Sequence, residues 1–323
     1  MIDVAIVGAG PVGLACAIEA KKHGLSYVVL EKSLLTNSVY CFPQNMTFYS
    51  TPELLEIGDI PFIISGEKPK RVDALKYYWR VTQHYQLDVK LDTKVETINN
   101  IDGEFSLQTS SGVYQSKAVI IATGFYDNPN YLGVPGEYFP HVSHYYSDPH
   151  KYVKKKVAII GANNSAVEAG LELYRYNVEV TLIHRGSELS RGVKKWVVPD
   201  IQNRLKRNEI KGIFNATVQE IKSKSIVVNS NDKTEEIAAD AVLALIGYQP
   251  HFDFMRNMGI NINDQTLVPD FDPDTGETNV EDIYIAGAIQ AGANENKIFI
   301  ENGRLHAPVI INAIKNKLIV EQK

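Results

Sequence analysis

Cysteine is nearly absent from this chain, with only Cys16 and Cys41 among 323 residues. They lie far apart and form no C-x-x-C, which excludes a disulfide framework and a local redox dithiol. An excess of one charge is also missing. Lys and Arg total 33 against 38 Asp and Glu, a net charge of −5, so nothing favours nucleic acid or an anionic membrane. No apolar run is long enough to span a bilayer, and an apolar strand pattern starts almost at Met1, without a signal peptide. Together these features lead us to expect a cytoplasmic protein. No metal site and no low-complexity segment is expected either. The length and the 44% hydrophobic content suffice for two domains with their own cores.

What the chain does contain is a glycine-rich turn, used twice. The first is Ile6-Val7-Gly8-Ala9-Gly10-Pro11-Val12-Gly13. Asp3 to Val7 reads as a buried parallel strand. Gly8 permits the tight turn, Gly10 lets the backbone approach a pyrophosphate, and Gly13 allows close helix–strand packing. Pro11 suits the first helical position, where a missing N–H costs nothing. The pattern predicts a helix to about His23, capped by Gly24. The helix N-terminus offers N–H groups and a positive dipole end to a phosphate. A second strand, Tyr27 to Leu30, ends in Glu31, where a carboxylate accepts hydrogen bonds from both ribose hydroxyls of an adenosine. Strand, helix, strand and acid in that order point to a bound dinucleotide.

The second turn is Ala158-Ile159-Ile160-Gly161-Ala162-Asn163-Asn164-Ser165-Ala166. Lys155 to Ile160 reads as a strand, Ser165 to Tyr176 as a helix, and Val178 to Ile183 as the next strand. That strand ends in His184-Arg185 instead of an acid, with Arg191, Lys194 and Lys195 following. An acid there would repel a 2′-phosphate, whereas arginine grips it bidentately, which favours NADPH over NADH. The other reading of Arg185 is a solvated surface charge. Asn163 holds the middle glycine position, where its tolerance of left-handed backbone suits the turn. Two turns ending in opposite charges imply two different dinucleotides with electron transfer between them.

Between and after these units the chain is a mosaic. Residues Tyr40 to Ser50 are too rich in Pro and polar residues for a helix and too apolar for a free loop. They either line a flat aromatic ligand, with Asn45 and Thr47 as hydrogen-bonding groups, or pack on the core. Lys70 to Tyr85 reads as an amphipathic helix. Leu91–Ile98, Phe105–Thr109 and Val113-Tyr114 read as antiparallel strands around an Asp102-Gly103 hairpin turn. Ala118 to Gly124 is a buried strand closing in a small turn, and Ala241 to Gly247 echoes it. The first domain is therefore interrupted by the second and completed by the strand Asp282 to Ala286. Gly287 and Ala288 follow, where small residues admit close backbone approach. A final helix is expected from about Ile298 to Ile314.

The order G-A-G-P-V-G, Glu31, I-A-T-G, second turn, His184-Arg185, then T-N-x-x-x-x-Y-I-A-G resembles the thioredoxin-reductase-like pyridine-nucleotide flavoproteins over nearly the whole chain. Phe48-Tyr49-Ser50 with Ile57 to Phe62, Ala244 to Tyr248, and Ile298 to Gly303 look most like the bacillithiol-disulfide reductase family, whose members use FAD and NADPH. The resemblance implies an α/β fold of two Rossmann-like, three-layer dinucleotide-binding domains. The FAD domain would be discontinuous, 1–124 and 251–323, around an NADPH domain of 125–250. It implies FAD contacts at Gly8, Gly10, Pro11, Val12, Gly13, Glu31 and Lys32, with Asn45, Thr47 and Phe48 beside the flavin. Ala122, Thr123, Gly124, Gly287 and Ala288 would lie near its diphosphate and ribityl chain. NADPH would meet Gly161, Ala162, Asn163, Asn164, Ser165, His184, Arg185, Arg191 and Gly247. The last helix would point its N-terminus toward the flavin pyrimidine. A small-molecule disulfide, foremost bacillithiol disulfide, would be the substrate, and by analogy the protein would be a homo-oligomer.

Three departures from relatives stand out. Where thioredoxin reductases carry their C-x-x-C, this chain reads Val142-Ser143-His144-Tyr145-Tyr146-Ser147, so no dithiol relay operates there. Their Gly-Asp after the late strand is Gly287-Ala288, and the cysteine of many bacillithiol-disulfide reductases in G-P-C-G is Val12. Cys16 reads as core. Cys41 is either a redox thiol or packing. His144 is either a proton donor to a leaving thiolate or a linker residue. A ferredoxin or flavodoxin–NADP reductase is the alternative function. A flavin monooxygenase is a more distant one, on the fragmentary Phe139-to-His144 echo of F-x-G-x-x-x-H.

Overall fold

The computed structural model describes residues 1–231, 233–294 and 296–321. They form two compact units, Met1–Asn128 with Tyr248–Lys323, and Pro129–Gly247. The chain leaves the first unit after Asn128 and returns to it at Tyr248.

The first unit opens with β1 (Ile2–Val7), α1 (Pro11–Lys22) and β2 (Tyr27–Leu30). β1 lies parallel to β2, with Val4 opposite Tyr27. Its residues alternate between two cores. Val4 and Ile6 join Leu14 and Ile18 of α1, while Ala5 and Val7 face Phe105 and Ile285. A strand buried on both faces must be aliphatic at every position, which is why this one reads as a continuous apolar run. Cys16 is fully buried on the sheet-facing side of α1, and burial pushes its thiol up to about 12.

Three helices follow, α2 (Asn37–Cys41), α3 (Pro52–Leu55) and α4 (Arg71–Tyr85). Tyr40 and Cys41 therefore close a short helix, against the expectation of none there. Pro43 forces Phe42 extended (φ −62°, ψ 158°), and the helix stops. Next come β3 (Val89–Lys90), β4 (Val95–Ile101), β5 (Glu104–Thr109) and β6 (Gly112–Ile121). Asp102 (φ 55°) and Gly103 (φ 87°) turn β4 into β5. Leu91 lies outside β4, where Asp92 at φ 50° interrupts the extended chain. Val113-Tyr114 and Ala118–Ile121 are one strand, not two. Polar Ser116, buried in its middle, pairs with both Ile2 and Phe105.

The second unit contains β7 (Val142–Ser143), β8 (Lys156–Ile160), α5 (Asn164–Arg175), β9 (Glu179–Ile183), α6 (Val198–Lys206) and β10 (Lys211–Ile213). A three-stranded antiparallel sheet, β11 (Ala216–Ile221), β12 (Ser225–Ser230) and β13 (Lys233–Ala238), precedes β14 (Ala241–Ala244). The parallel sheet runs β10-β9-β8-β14-β7. β8 repeats the pattern of β1, with Val157 and Ile159 in one core and Ala158 and Ile160 in another.

Back in the first unit lie α7 (Phe252–Asn257), β15 (Ile283–Ile285), α8 (Ile300–Gly303) and α9 (His306–Glu321). The sheet order is β3-β2-β1-β6-β5-β4, with β15 parallel to the second half of β6. The expected single last helix is broken at Arg304-Leu305. Pro308 has no N–H to give the Arg304 carbonyl, so the helix restarts with proline in its first turn. Among the described residues no helix is long and apolar enough to cross a membrane.

Candidate cofactor and active site

The two glycine turns share one construction. The Gly8 N–H donates to the Leu30 carbonyl at 2.9 Å, and the Gly161 N–H to the Ile183 carbonyl at 2.9 Å. Gly8 (φ 108°) and Gly161 (φ 124°) take backbone open to glycine alone. A Cβ on Gly8 would lie 2.6 Å from the Ala122 carbonyl oxygen, and one on Gly161 2.3 Å from that of Leu245. Gly10 differs in purpose. It is extended (φ −70°, ψ 172°), and a Cβ there would meet nothing within 4 Å. Its lack of a side chain leaves open the space above the N-terminus of α1. Asn163 is likewise extended (φ −98°, ψ −173°), so its left-handed tolerance is not what admits it.

A cavity of about 650 Å³ opens over the first turn, within the range of small-molecule and cofactor sites. Gly8, Gly10, Pro11, Val12, Glu31, Lys32, Phe48, Ala122, Thr123, Gly124, Gly287 and Ala288 line it. Three expected residues do not. Gly13 sits beneath, where a Cβ would stand 2.0 Å from the Gly8 oxygen. Asn45 and Thr47 are exposed, while Met46, Phe48 and Tyr49 face the cavity. The Phe48 N–H bonds the Pro69 carbonyl, and Thr47 bridges Lys70. Asn45 thus lies in the turn that the Met46 N–H closes onto the Pro43 carbonyl, and Thr47 in an isolated bridge, both directed away from the cavity lining. Val12 packs where Gly287 and Gly303 come closest, since a Cβ at either would lie 3.2–3.3 Å from its side chain.

The acid end of the cavity is highly structured. Glu31 accepts the Ala9 N–H at 2.8 Å and the Ser33 N–H at 3.0 Å. Burial pushes its carboxyl up despite those donors, with the Asp127 charge adding to the rise. Lys32 pairs with Asp127, and His251 Nε2 lies 3.4 Å from the same carboxylate. Asp127 and His251 were not among the sequence candidates. They are 124 positions apart, and the only local signal was adjacency to the Thr123-Gly124 turn. At the other wall Ser50 donates to Glu301 at the start of α8. With α8 only four residues long, the dipole expected of one continuous helix is not built.

In the second unit Gly161, Ala162, Asn163, Asn164 and Ser165 form the turn at the start of α5. Asn164 ties residues 192–194 to it, donating to the Gly192 carbonyl at 2.9 Å and accepting the Lys194 N–H at 3.0 Å. Arg185 and Arg191 are exposed and pair with no carboxylate among the described residues. His184 is half-buried beside them. Burial, then the Arg185 charge, lowers its pKa. Gly247 takes φ 92° at the end of this unit.

The pyridine nucleotide-disulphide oxidoreductase family model matches residues 5–287. The chain belongs to that family. Among its relatives, a bacilliredoxin reductase Bdr of Bacillus subtilis (strain 168) is 42% identical over 93% of this chain and 94% of its own. The bacillithiol disulfide reductase Bdr of Staphylococcus aureus superposes with a TM-score of 0.94 at 38% identity, covering 98% of each chain. That of Bacillus cereus gives 0.96 at 39% identity over 98% of this chain and 99% of its own. The protein is thus a flavoprotein oxidoreductase with the thioredoxin-reductase-like α/β fold, and its family uses a flavin and a pyridine nucleotide.

Neither of the two polar candidates, Cys41 and His144, is among the residues that line the cavity. Cys41 does not line the cavity, although its neighbour Phe42 does. Burial raises its thiol, and Sγ lies 3.9 Å from Asn37 Oδ1. His144 Nε2 lies 3.0 Å from Glu137 Oε1, with its ring against Tyr131. Glu137, 2% exposed, also accepts the Leu132 and Gly133 N–H groups. Burial would raise this carboxyl, but the three donors hold it below its ordinary value. A depressed carboxyl stabilises the fold above the unfolded value of about 4.3 and loses that stabilisation as pH falls through the folded value. Glu137→Gln should therefore unfold about 1–3 kcal/mol more easily at pH 7, measured by urea titration. The difference should shrink at acid pH, and a deficit that grows on acidification would refute this role.

Proposed function

We propose that the protein is an NADPH-dependent, FAD-containing reductase of a low-molecular-weight thiol disulfide, first of all bacillithiol disulfide. The observation that carries this reading is the cavity over the first turn, joined to an arginine-bearing second turn in a chain without C-x-x-C. The residues present suit FAD. The open position at Gly10 admits a diphosphate against the N-terminus of α1, Glu31 faces where the ribose would lie, and Phe42, Met46 and Phe48 supply an apolar wall. NADPH would rest on Gly161 to Ser165, with Arg185 and Arg191 on its 2′-phosphate and Gly247 near its diphosphate.

A bound flavin supplies the two-electron step, so that NADPH, a proton and one disulfide become NADP⁺ and two thiols. The chain's own contribution is to bind and orient both nucleotides and to keep water from the apolar wall. Neither Cys16 nor Cys41 enters, so the small disulfide meets the flavin directly. The near absence of cysteine fits a reducing cytoplasm. The substrate named for the Staphylococcus and Bacillus cereus relatives supports bacillithiol disulfide. The name of the Bacillus subtilis relative gives a second reading, with a bacilliredoxin as acceptor.

Anaerobic NADPH oxidation against bacillithiol disulfide, glutathione disulfide, oxidised bacilliredoxin, thioredoxin and ferredoxin separates these readings. Fast turnover with bacillithiol disulfide, releasing two thiols per NADPH, is expected. Rapid reduction of ferredoxin with none of the disulfides would overturn it. Arg185→Ala should raise KM for NADPH about ten- to hundredfold and leave that for NADH unchanged, whereas equal losses would remove the 2′-phosphate assignment.

A further inference from the structure

The turn after β15 forms one wall of the cavity and has no polar side chain there. Ala286, Gly287 and Ala288 line the cavity. The Ala286 N–H goes to the Ile121 carbonyl at 2.9 Å, and Gln290 Nε2 donates to the Ile285 carbonyl at 2.7 Å. The Gly287 N–H has a side-chain acceptor instead. It donates at 3.1 Å to Nδ1 of His306, nineteen positions on in the first turn of α9. α8 is pressed on the same turn, since a Cβ on Gly303 would lie 3.3 Å from the Gly287 Cα.

This bond fixes the state of the ring. A backbone N–H can only donate, so Nδ1 must offer its lone pair and the ring proton sits on Nε2. Protonation would set an N–H on Nδ1, a donor facing a donor. Burial alone lowers the His306 pKa. The charged groups on the elements around it have other partners. Glu301 accepts from Ser50, Arg304 donates to the Glu56 and Glu301 carbonyls, and on α1 Lys22 pairs with Glu19 while Lys21 reaches the Tyr85 carbonyl. Further along α9, Lys315 meets His23, and Lys317 pairs with Glu277, Glu281 and Asp282. Burial pushes up the remaining titratable groups of α1 and β15, Cys16 and Tyr284.

We infer that His306 is a positioning residue for the flavin cofactor, holding the Gly287-Ala288 wall in place through a bare Nδ1 and releasing it when the ring is protonated. The inference rests on the FAD reading above. A base whose pKa is lowered in the folded chain keeps this bond above its folded value and loses it as pH falls through that value. FAD affinity should therefore fall on acidification. His306→Asn puts Oδ1 where Nδ1 stands, an acceptor that does not titrate. His306→Leu removes the acceptor and leaves the Gly287 N–H unpaired.

Flavin fluorescence quenching on the apoprotein tests this. The wild type should bind FAD about three- to tenfold more weakly at about pH 5.5 than at about pH 7.5. His306→Asn should match the wild type at the higher pH and lose less at the lower. Glu31, whose carboxyl burial raises, titrates in both proteins, so the difference between them reports His306. His306→Leu should be weakened at both pH values. The melting temperature of its apoprotein shows whether it folds, and the Asn comparison stands without it. An acid loss equal in wild type and His306→Asn overturns the inference, as does an Asn variant that binds FAD as weakly at the higher pH as the acidified wild type. So does a nitrogen NMR spectrum of histidine-labelled apoprotein in which the resonances lost in His306→Asn place the proton on Nδ1. A wild-type apoprotein that takes up no FAD at either pH overturns instead the reading beneath it.

Discussion

Bare backbone pressed against bare backbone is the constraint on which the site depends. At the end of β1 there is no room for a Cβ on Gly8 beside the Ala122 oxygen, nor for one on Gly13 beside the Gly8 oxygen. Only with both positions empty can α1 start directly above the strand ends and leave its first N–H groups facing the cavity. The same contact, Gly161 against the Leu245 oxygen, recurs in the second unit. In the first unit β1 is flanked by β2 on one side and β6 on the other, the point at which connections leave in opposite directions. The crevice follows from the topology, and the glycines keep it open.

Charge then separates the two turns. The first strand–helix–strand ends in Glu31, which accepts two N–H donors and sits within the field of a second acid, Asp127. The second ends in exposed Arg185, with Arg191 on a nearby loop that Asn164 ties to the helix start. Nucleoside hydroxyls are donors and suit the first end. An additional phosphate is an anion and suits the second. Burial raises both thiols, Cys16 in the core and Cys41 at the end of α2.

Much of this was legible because the signals are local. Gly8, Gly10, Pro11 and Glu31 declare a turn within one stretch of chain, and the apolar runs of β1 and β8 declare strands buried on both faces. The failures have physical reasons as well. Asn45 and Thr47 were expected at the cavity, but one lies in a turn and the other in an isolated bridge, while Met46, Phe48 and Tyr49 line it. The last helix was expected whole, yet Pro308 interrupts it. His144 was read as either a proton donor or a linker residue, and its ring bonds Glu137, a contact seven positions back that no motif announces. Asp127 and His251 meet only because the chain leaves the first unit and returns to it.

The central claim is that the cavity over the first glycine turn holds FAD. The direct test is to denature the freshly purified protein by heat, remove the precipitate and identify the released chromophore by chromatography and mass. The account predicts one FAD per chain, leaving an apoprotein that recovers its yellow colour when FAD is returned. A colourless protein that takes up no flavin on reconstitution would contradict it.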